Sequence, residues 1–140
     1  MKRIFILFGL LLLSAMSTSF QSTRLKESYY QNGFAIIMKG QKEVVLDDMT
    51  RVDIVTDTFA IEVDFAEKWS QGVGQALYYA EKLNKKAGIL LVVNGRLDEK
   101  YVRRLMMVAI NHNITVWLMD YNTDDWCKVS QYYEYSYFFK

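Results

Sequence analysis

The sequence predicts an α/β domain, a mixed β-sheet flanked by helices in the order α-β-β-β-α-β-α-β, and three observations predict it. Residues 59–65, FAIEVDF, alternate with period two, as a strand does. Residues 67–83 and 99–111 repeat their apolar positions every three or four residues, as amphipathic helices do. Residues 89–93, ILLVV, are an unbroken apolar run after Gly88, which suits a strand buried on both faces.

Taken in order, a first helix is predicted over residues 25–31. Residues 34–39, FAIIMK, are predicted as a strand that turns through Gly40-Gln41 into a second strand over 43–46. Asp47-Asp48-Met49-Thr50 reads as a turn, and Arg51-Val52-Asp53-Ile54-Val55 as a short strand with Asp53 its one acid. Thr56-Asp57-Thr58 joins it to residues 59–65, where Ile61, Val63 and Phe65 share one face and Glu62 and Asp64 share the other. In the long helix, Trp69, Val73, Leu77, Ala80 and Leu83 form an apolar stripe, and Lys68, Gln71, Gln75 and Tyr79 form a second, polar one. Gly72 and Gly74 each cost about 1 kcal/mol against alanine in a helix, which is offset if they let a neighbouring backbone or a substrate approach closely. The helix over 99–111 carries Val102, Leu105, Met106, Ala109 and Ile110, and residues 115–119 form the last core strand. The tail 130–140, SQYYEYSYFFK, has five aromatic residues among its last eight and is predicted as an edge strand or a partner surface.

Residues 1–22 have Lys2 and Arg3 first, an apolar run from Ile4 to Leu13 and small residues Ser14, Ala15, Ser17 and Ser19 after it. That is the pattern of a secretory signal peptide, and the apolar run falls short of the roughly 20 residues a membrane span needs. The expectation is therefore a single exported domain over 23–140, secreted or periplasmic, with no stable membrane association after cleavage. Of the 17 basic residues, 15 remain once Lys2 and Arg3 are removed, against 16 acidic ones, for a formal charge of −1. Nucleic-acid affinity comes largely from Lys and Arg on phosphates, so such binding would need a local patch. Lys82, Lys85 and Lys86, or Arg96, Lys100, Arg103 and Arg104, could supply it; alone, each group reads more simply as a solvated helix face. Cys127 is the only cysteine, so an intrachain disulfide is excluded. His112 is the only histidine, at a predicted helix end, and offers no zinc site. No Ser-His-Asp arrangement and no glycine-rich phosphate loop stand out.

Three acids remain to be explained. Asp53, Glu62 and Asp64 lie on adjacent strands, followed by the polar stripe from Lys68 to Tyr79. Taken singly, each has a plainer reading: Asp53 as a strand-end residue, Lys68 as a solvated helix start. Together, unpaired charges inside a sheet are costly enough to point to a cation. Magnesium prefers oxygen ligands and keeps several waters, so two carboxylates plus a strand carbonyl suffice from the protein.

The same residues resemble the PD-(D/E)xK, or restriction-endonuclease-like, nuclease superfamily over about residues 24–119. Arg51-Val52-Asp53 stands where that superfamily has P-D, with Val52 in place of proline. Glu62-Val63-Asp64 stands at (D/E)-x-K, with Asp64 in place of lysine, and Gln75-Ala76-Leu77-Tyr78-Tyr79 is similar to the Q-x-x-x-Y element of its exonuclease branches. The element order agrees as well. The resemblance implies a Mg²⁺- or Mn²⁺-dependent phosphodiesterase acting on nucleic acid, DNA ahead of RNA. It implies Asp53, Glu62 and Asp64 as metal ligands with the Val63 carbonyl, and Lys68 as a catalytic lysine relocated to the helix start. Gln71, Gln75 and Tyr79 would meet substrate, and Glu27, near Tyr30 in the first helix, would be an additional acid near the metal. The alternative is a catalytically inactive exported module of the same fold that binds nucleic acid or a protein partner, favoured by Asp64 at the lysine position and by the absence of net positive charge.

Overall fold

The computed structural model describes residues 23–129. The proposed signal peptide and the aromatic tail lie outside the described residues. Within them, a six-stranded mixed sheet in the simple order β1-β2-β3-β4-β5-β6 is covered by three helices. The elements are α1 (Glu27–Met38), β1 (Gln41–Val45), β2 (Arg51–Val55), β3 (Phe59–Phe65), α2 (Trp69–Leu83), β4 (Lys86–Val93), α3 (Glu99–Asn111), β5 (Thr115–Asp120) and β6 (Asp125–Val129). Single 3₁₀ turns, Ala66–Lys68 and Gly95–Asp98, lead into α2 and α3. The three central strands β3, β4 and β5 are parallel, and antiparallel pairs close both edges. The predicted order α-β-β-β-α-β-α-β holds, with β6 added at its end and without the strand expected over residues 34–39, which would have been a fourth before α2.

One expectation fails. Residues 34–39 are not a strand: they are the second half of α1 and its cap. Tyr30, Gln31, Phe34 and Ala35 are buried at helical spacing, whereas Ile36 and Ile37 face outwards. A six-residue apolar run carries too little periodicity to separate helix from strand, and Gly40, read as a hairpin turn, belongs to the helix end. Lys39 adopts a left-handed φ of 53°, and the Gly40 amide reaches back to the Ala35 carbonyl at 2.9 Å, a Schellman-type stop. A side chain at Gly40 would lie 2.5 Å from the Ile54 methyl, so the chain can pass that close to β2 only as glycine. β1 then begins at Gln41 and ends at Val45, two residues ahead of its predicted start and one short of its predicted end.

The sheet separates two cores. On one face Tyr30, Phe34 and Ala35 of α1 pack on Ile61, Val63, Phe65, Leu90, Val92 and Trp117. On the other, α2 and α3 cover Ile89, Leu91, Val93, Val116 and Leu118, so β4 is buried on both faces as its unbroken run predicts. A fully buried leucine or isoleucine there contributes about 1.5–3 kcal/mol. The apolar stripe of α2 is placed differently from its sequence reading. The face turned to the sheet is Gly72, Ala76, Tyr79 and Ala80, while Trp69, Val73 and Leu77 are only partly buried. Small residues bring the α2 axis close over β3, next to the acids of that strand. Among the described residues, no helix is long and apolar enough to cross a membrane.

Candidate metal centre

Asp53 sits where the sheet opens. The backbone pairing of β2 with β3 covers Ile54 with Ile61 and Val55 with Ala60, and Asp53 lies just past that ladder. Side chains take over there. The Asp53 carboxylate Oδ2 accepts the Val63 amide at 2.8 Å, and the Asp53 amide donates to Glu62 Oε1 over a long 3.4 Å. The Asp53 carbonyl accepts from Gln31 Nε2 of α1 at 2.9 Å. Val52 packs towards α2 and Ile54 towards α1, so strand alternation is broken at Asp53. This break lets an acid from β2 meet acids from β3.

Glu62 and Asp64 follow Ala60 along the α2 face of β3, and both are buried. Asp64 points at Gly72: a Cβ on that glycine would lie 2.6 Å from Asp64 Oδ2. The Asp64 Oδ2 atom is buried without a hydrogen-bond partner. So is Oε2 of Glu27, from the first turn of α1, which has only the Lys68 ammonium near it, at 3.5 Å. A buried carboxylate oxygen with no partner, as at Asp64, is costly; the Glu27 oxygen is offset only by its ion pair with Lys68.

The electrostatics agree with the geometry. Burial, together with neighbouring acids, pushes the Asp53 carboxyl up to about 6, Asp64 to about 7 and Glu62 to about 9. Glu27 adds repulsion to all three, and Lys68 partly offsets it at Asp64. Four carboxyls and one ammonium thus share one fork in the sheet. Such a group holds protons, or cations, more tightly than exposed acids do.

The structure therefore brings together Asp53, Glu62, Asp64 and Lys68, as well as Glu27. Lys68 ends the 3₁₀ turn before α2, and its side chain is 48% exposed, open to both solvent and the fork. The predicted substrate residues are spread differently. Gln71 is exposed, Gln75 is half-buried beside the sheet-facing stripe, and Tyr79 is buried with Val52 and Ala60 as a packing residue. Three of the basic residues considered for a patch, Lys82, Lys85 and Arg103, are engaged locally. Lys82 is ten residues beyond Gly72, about 15 Å along the helix, and is engaged by Asp47 and Asp48. Lys85 donates to the Asp57 carbonyl, and Arg103 pairs with Glu99. His112 caps α3 through its amide to the Val108 and Ala109 carbonyls, as its position predicted.

Two participants were missed in the sequence. Gln31 is buried and donates to both Glu43 Oε1 and the Asp53 carbonyl. Its one signal was a polar residue at helical spacing among Tyr30, Phe34 and Ala35. Glu43 holds a left-handed φ of 54° within β1 and pairs with Arg51 at 2.7 Å; nothing in the sequence marks that conformation.

Among the described residues, no three His, Cys, Asp or Glu side chains are placed so that together they could hold a metal ion, so there is no cage. A hard divalent cation needs less than a cage, since it takes one or two carboxylates and keeps its own waters. The orphaned Asp64 oxygen and the oxygen-only chemistry of the acids fit such an ion. Compared with known proteins, the chain matches no family model, no curated protein and no solved structure.

Proposed function

We propose that this chain is an exported, Mg²⁺- or Mn²⁺-dependent nuclease of the restriction-endonuclease-like type, hydrolysing phosphodiester bonds in nucleic acid. The observation that carries the reading is the fork between β2 and β3, where the buried Glu62 and Asp64 of β3 repel one another and the half-buried Asp53 of β2 and Glu27 of α1, with Asp64 Oδ2 left unpartnered. The motif order and spacing around Asp53, Glu62 and Gln75 support the family assignment.

One or two of Asp53, Glu62 and Asp64 would hold the cation, with water completing its shell. Bound there, a divalent ion lowers the pKa of water and offsets charge on the phosphate. Every other contribution comes from the chain. Asp53 is held by the Val63 amide, which fixes its carboxylate across the fork. Lys68, reaching from the helix start, can exchange Glu27 for the phosphate oxygens and so favour the charge that grows in the transition state. Gln71 and Gln75, neither of which has a hydrogen-bond partner among the described residues, are open to contact the nucleic-acid backbone. DNA is the preferred substrate on the resemblance of the Q-x-x-x-Y element.

A second reading is favoured by one pairing. Lys68 meets Glu27 rather than an empty fork, and Asp64 occupies the family's lysine position. A catalytically inactive exported module that binds nucleic acid or a protein would show both features. The deciding experiment is hydrolysis of single- and double-stranded DNA and RNA by residues 23–140 with Mg²⁺, Mn²⁺ or chelator. Cleavage that requires the metal and is lost in Asp53→Asn and Glu62→Gln supports the nuclease. Metal binding without cleavage supports the inactive module.

A further inference from the structure

We propose that Gln31 is a positioning residue that sets the Asp53 carboxylate for cation binding, an inference that rests on the metal-centre reading above. The starting point is a hydrogen-bond exchange at one residue. Asp53 stands past the β2–β3 ladder, and on its other side the regular register with β1 pairs Lys42 with Ile54 and Val44 with Val52. The residue of β1 between those pairs is Glu43, whose left-handed backbone turns it out of the strand pattern. The Asp53 carbonyl is therefore served by a helix: Gln31 Nε2 donates to it at 2.9 Å.

The same nitrogen donates to Glu43 Oε1 at 2.5 Å. Both neighbours are acceptors, so the amide can face only one way. Gln31 is 7% exposed, and an amide that deep is retained only if its hydrogen bonds are made. It ties together α1, β1 and β2 at the point where β2 parts from β3. Fixing the Asp53 carbonyl fixes the orientation of its peptide, and with it the side chain that accepts the Val63 amide at 2.8 Å. Without the donor, Asp53 would be free to rejoin the ladder and withdraw its carboxylate from Glu62 and Asp64.

Gln31→Met keeps the length and bulk and removes the donor; Gln31→Glu keeps the shape and sets a carboxylate against Glu43 and the Asp53 carbonyl. Glu43→Gln, which keeps an acceptor for the Gln31 amide, is the control. The readouts are Mn²⁺ affinity by calorimetry, the Val63 amide proton resonance and exchange rate by NMR, and thermal stability. In both Gln31 variants Mn²⁺ affinity should fall about tenfold or more, and the Val63 amide should move upfield and exchange faster, while Glu43→Gln leaves Val63 as in wild type. A merely structural role would lower the melting temperature and leave the Val63 signature in place, and that result overturns the proposal. If Gln31→Met does not fold, Gln31→Glu carries the same measurements. If the wild type binds no Mn²⁺, the metal-centre reading fails by itself, and the Val63 resonance still decides whether Gln31 holds Asp53: a shift supports the proposal and an unchanged resonance overturns it.

Discussion

Replacing Asp64 with asparagine should stabilise the metal-free protein more at pH 8 than at pH 5. Burial and the neighbouring carboxyls raise the Asp64 pKa from 3.8 to about 7. The native state therefore binds a proton more tightly than the unfolded chain does. Between about pH 4 and about pH 7 it holds more protons, and stability falls as pH rises through that window. At pH 8 the full shift of about three pK units applies, about 4 kcal/mol at 1.36 kcal/mol per unit. At pH 5 only the first unit or so separates the two states, about 1–2 kcal/mol. The difference is about 2–3 kcal/mol, and because the clustered acids share protons, about 2 kcal/mol is the value to expect. Asparagine removes the titration, so its gain over wild type should grow by that amount between the two pH values. Urea unfolding followed by circular dichroism, with chelator present, measures it. The double difference cancels whatever the amide does to packing. Equal gains at pH 5 and pH 8 would refute the claim that Asp64 carries a buried, repelled charge. In the same variant, saturating Mn²⁺ should no longer give the wild-type stabilisation, which is about 2.7 kcal/mol at a hundredfold excess over Kd.

Gly72→Ala should destabilise the fold by about 1–3 kcal/mol, because its methyl would meet Asp64 Oδ2 at 2.6 Å. Gly74→Ala, two residues away with nothing within 4 Å, should instead gain up to about 1 kcal/mol; thermal melts of both variants test the pair. Lys68→Ala should lower kcat about a hundredfold with little change in Mn²⁺ affinity, whereas Asp64→Ala should weaken Mn²⁺ binding. Steady-state kinetics and calorimetry separate the two, and a Lys68→Ala protein as fast as wild type would remove the relocated lysine. Intact mass of the protein from its host should show the loss of roughly 17 to 22 N-terminal residues, and a full-length cytoplasmic chain would contradict export.

The parts legible in the sequence were those with a long or repeated pattern. Residues 89–93 had to be a doubly buried strand, and Glu62 and Asp64 had to share a face, because period two admits no other arrangement. The helix over residues 34–38 was illegible because its inward residues, Phe34 and Ala35, are adjacent, so the run looks uniformly apolar. The small-residue face of α2 was hidden for a related reason: glycine and alanine carry little hydropathy, yet they decide how near a helix can lie. Asp53, Glu62, Asp64 and Lys68 could be gathered by motif spacing. Gln31 and Glu43 could not, since their roles depend on a broken ladder and a left-handed residue, neither of which leaves a mark in composition or period.

The left-handed turn at Glu43 has a consequence for the company this protein keeps. Among the described residues β1 is an outer strand, and a straight outer strand offers unpaired amides and carbonyls on which a stranger's chain can align. Glu43 interrupts that row halfway along, with Lys42 and the Glu43–Arg51 pair setting charge beside the break. A visiting strand would find two short, misaligned stretches and nowhere to lie flat. The bend at Glu43 thus guards this margin of the sheet against sticking to its own copies. Straightening it, for instance by a β-branched residue at position 43, should cost solubility as well as metal affinity.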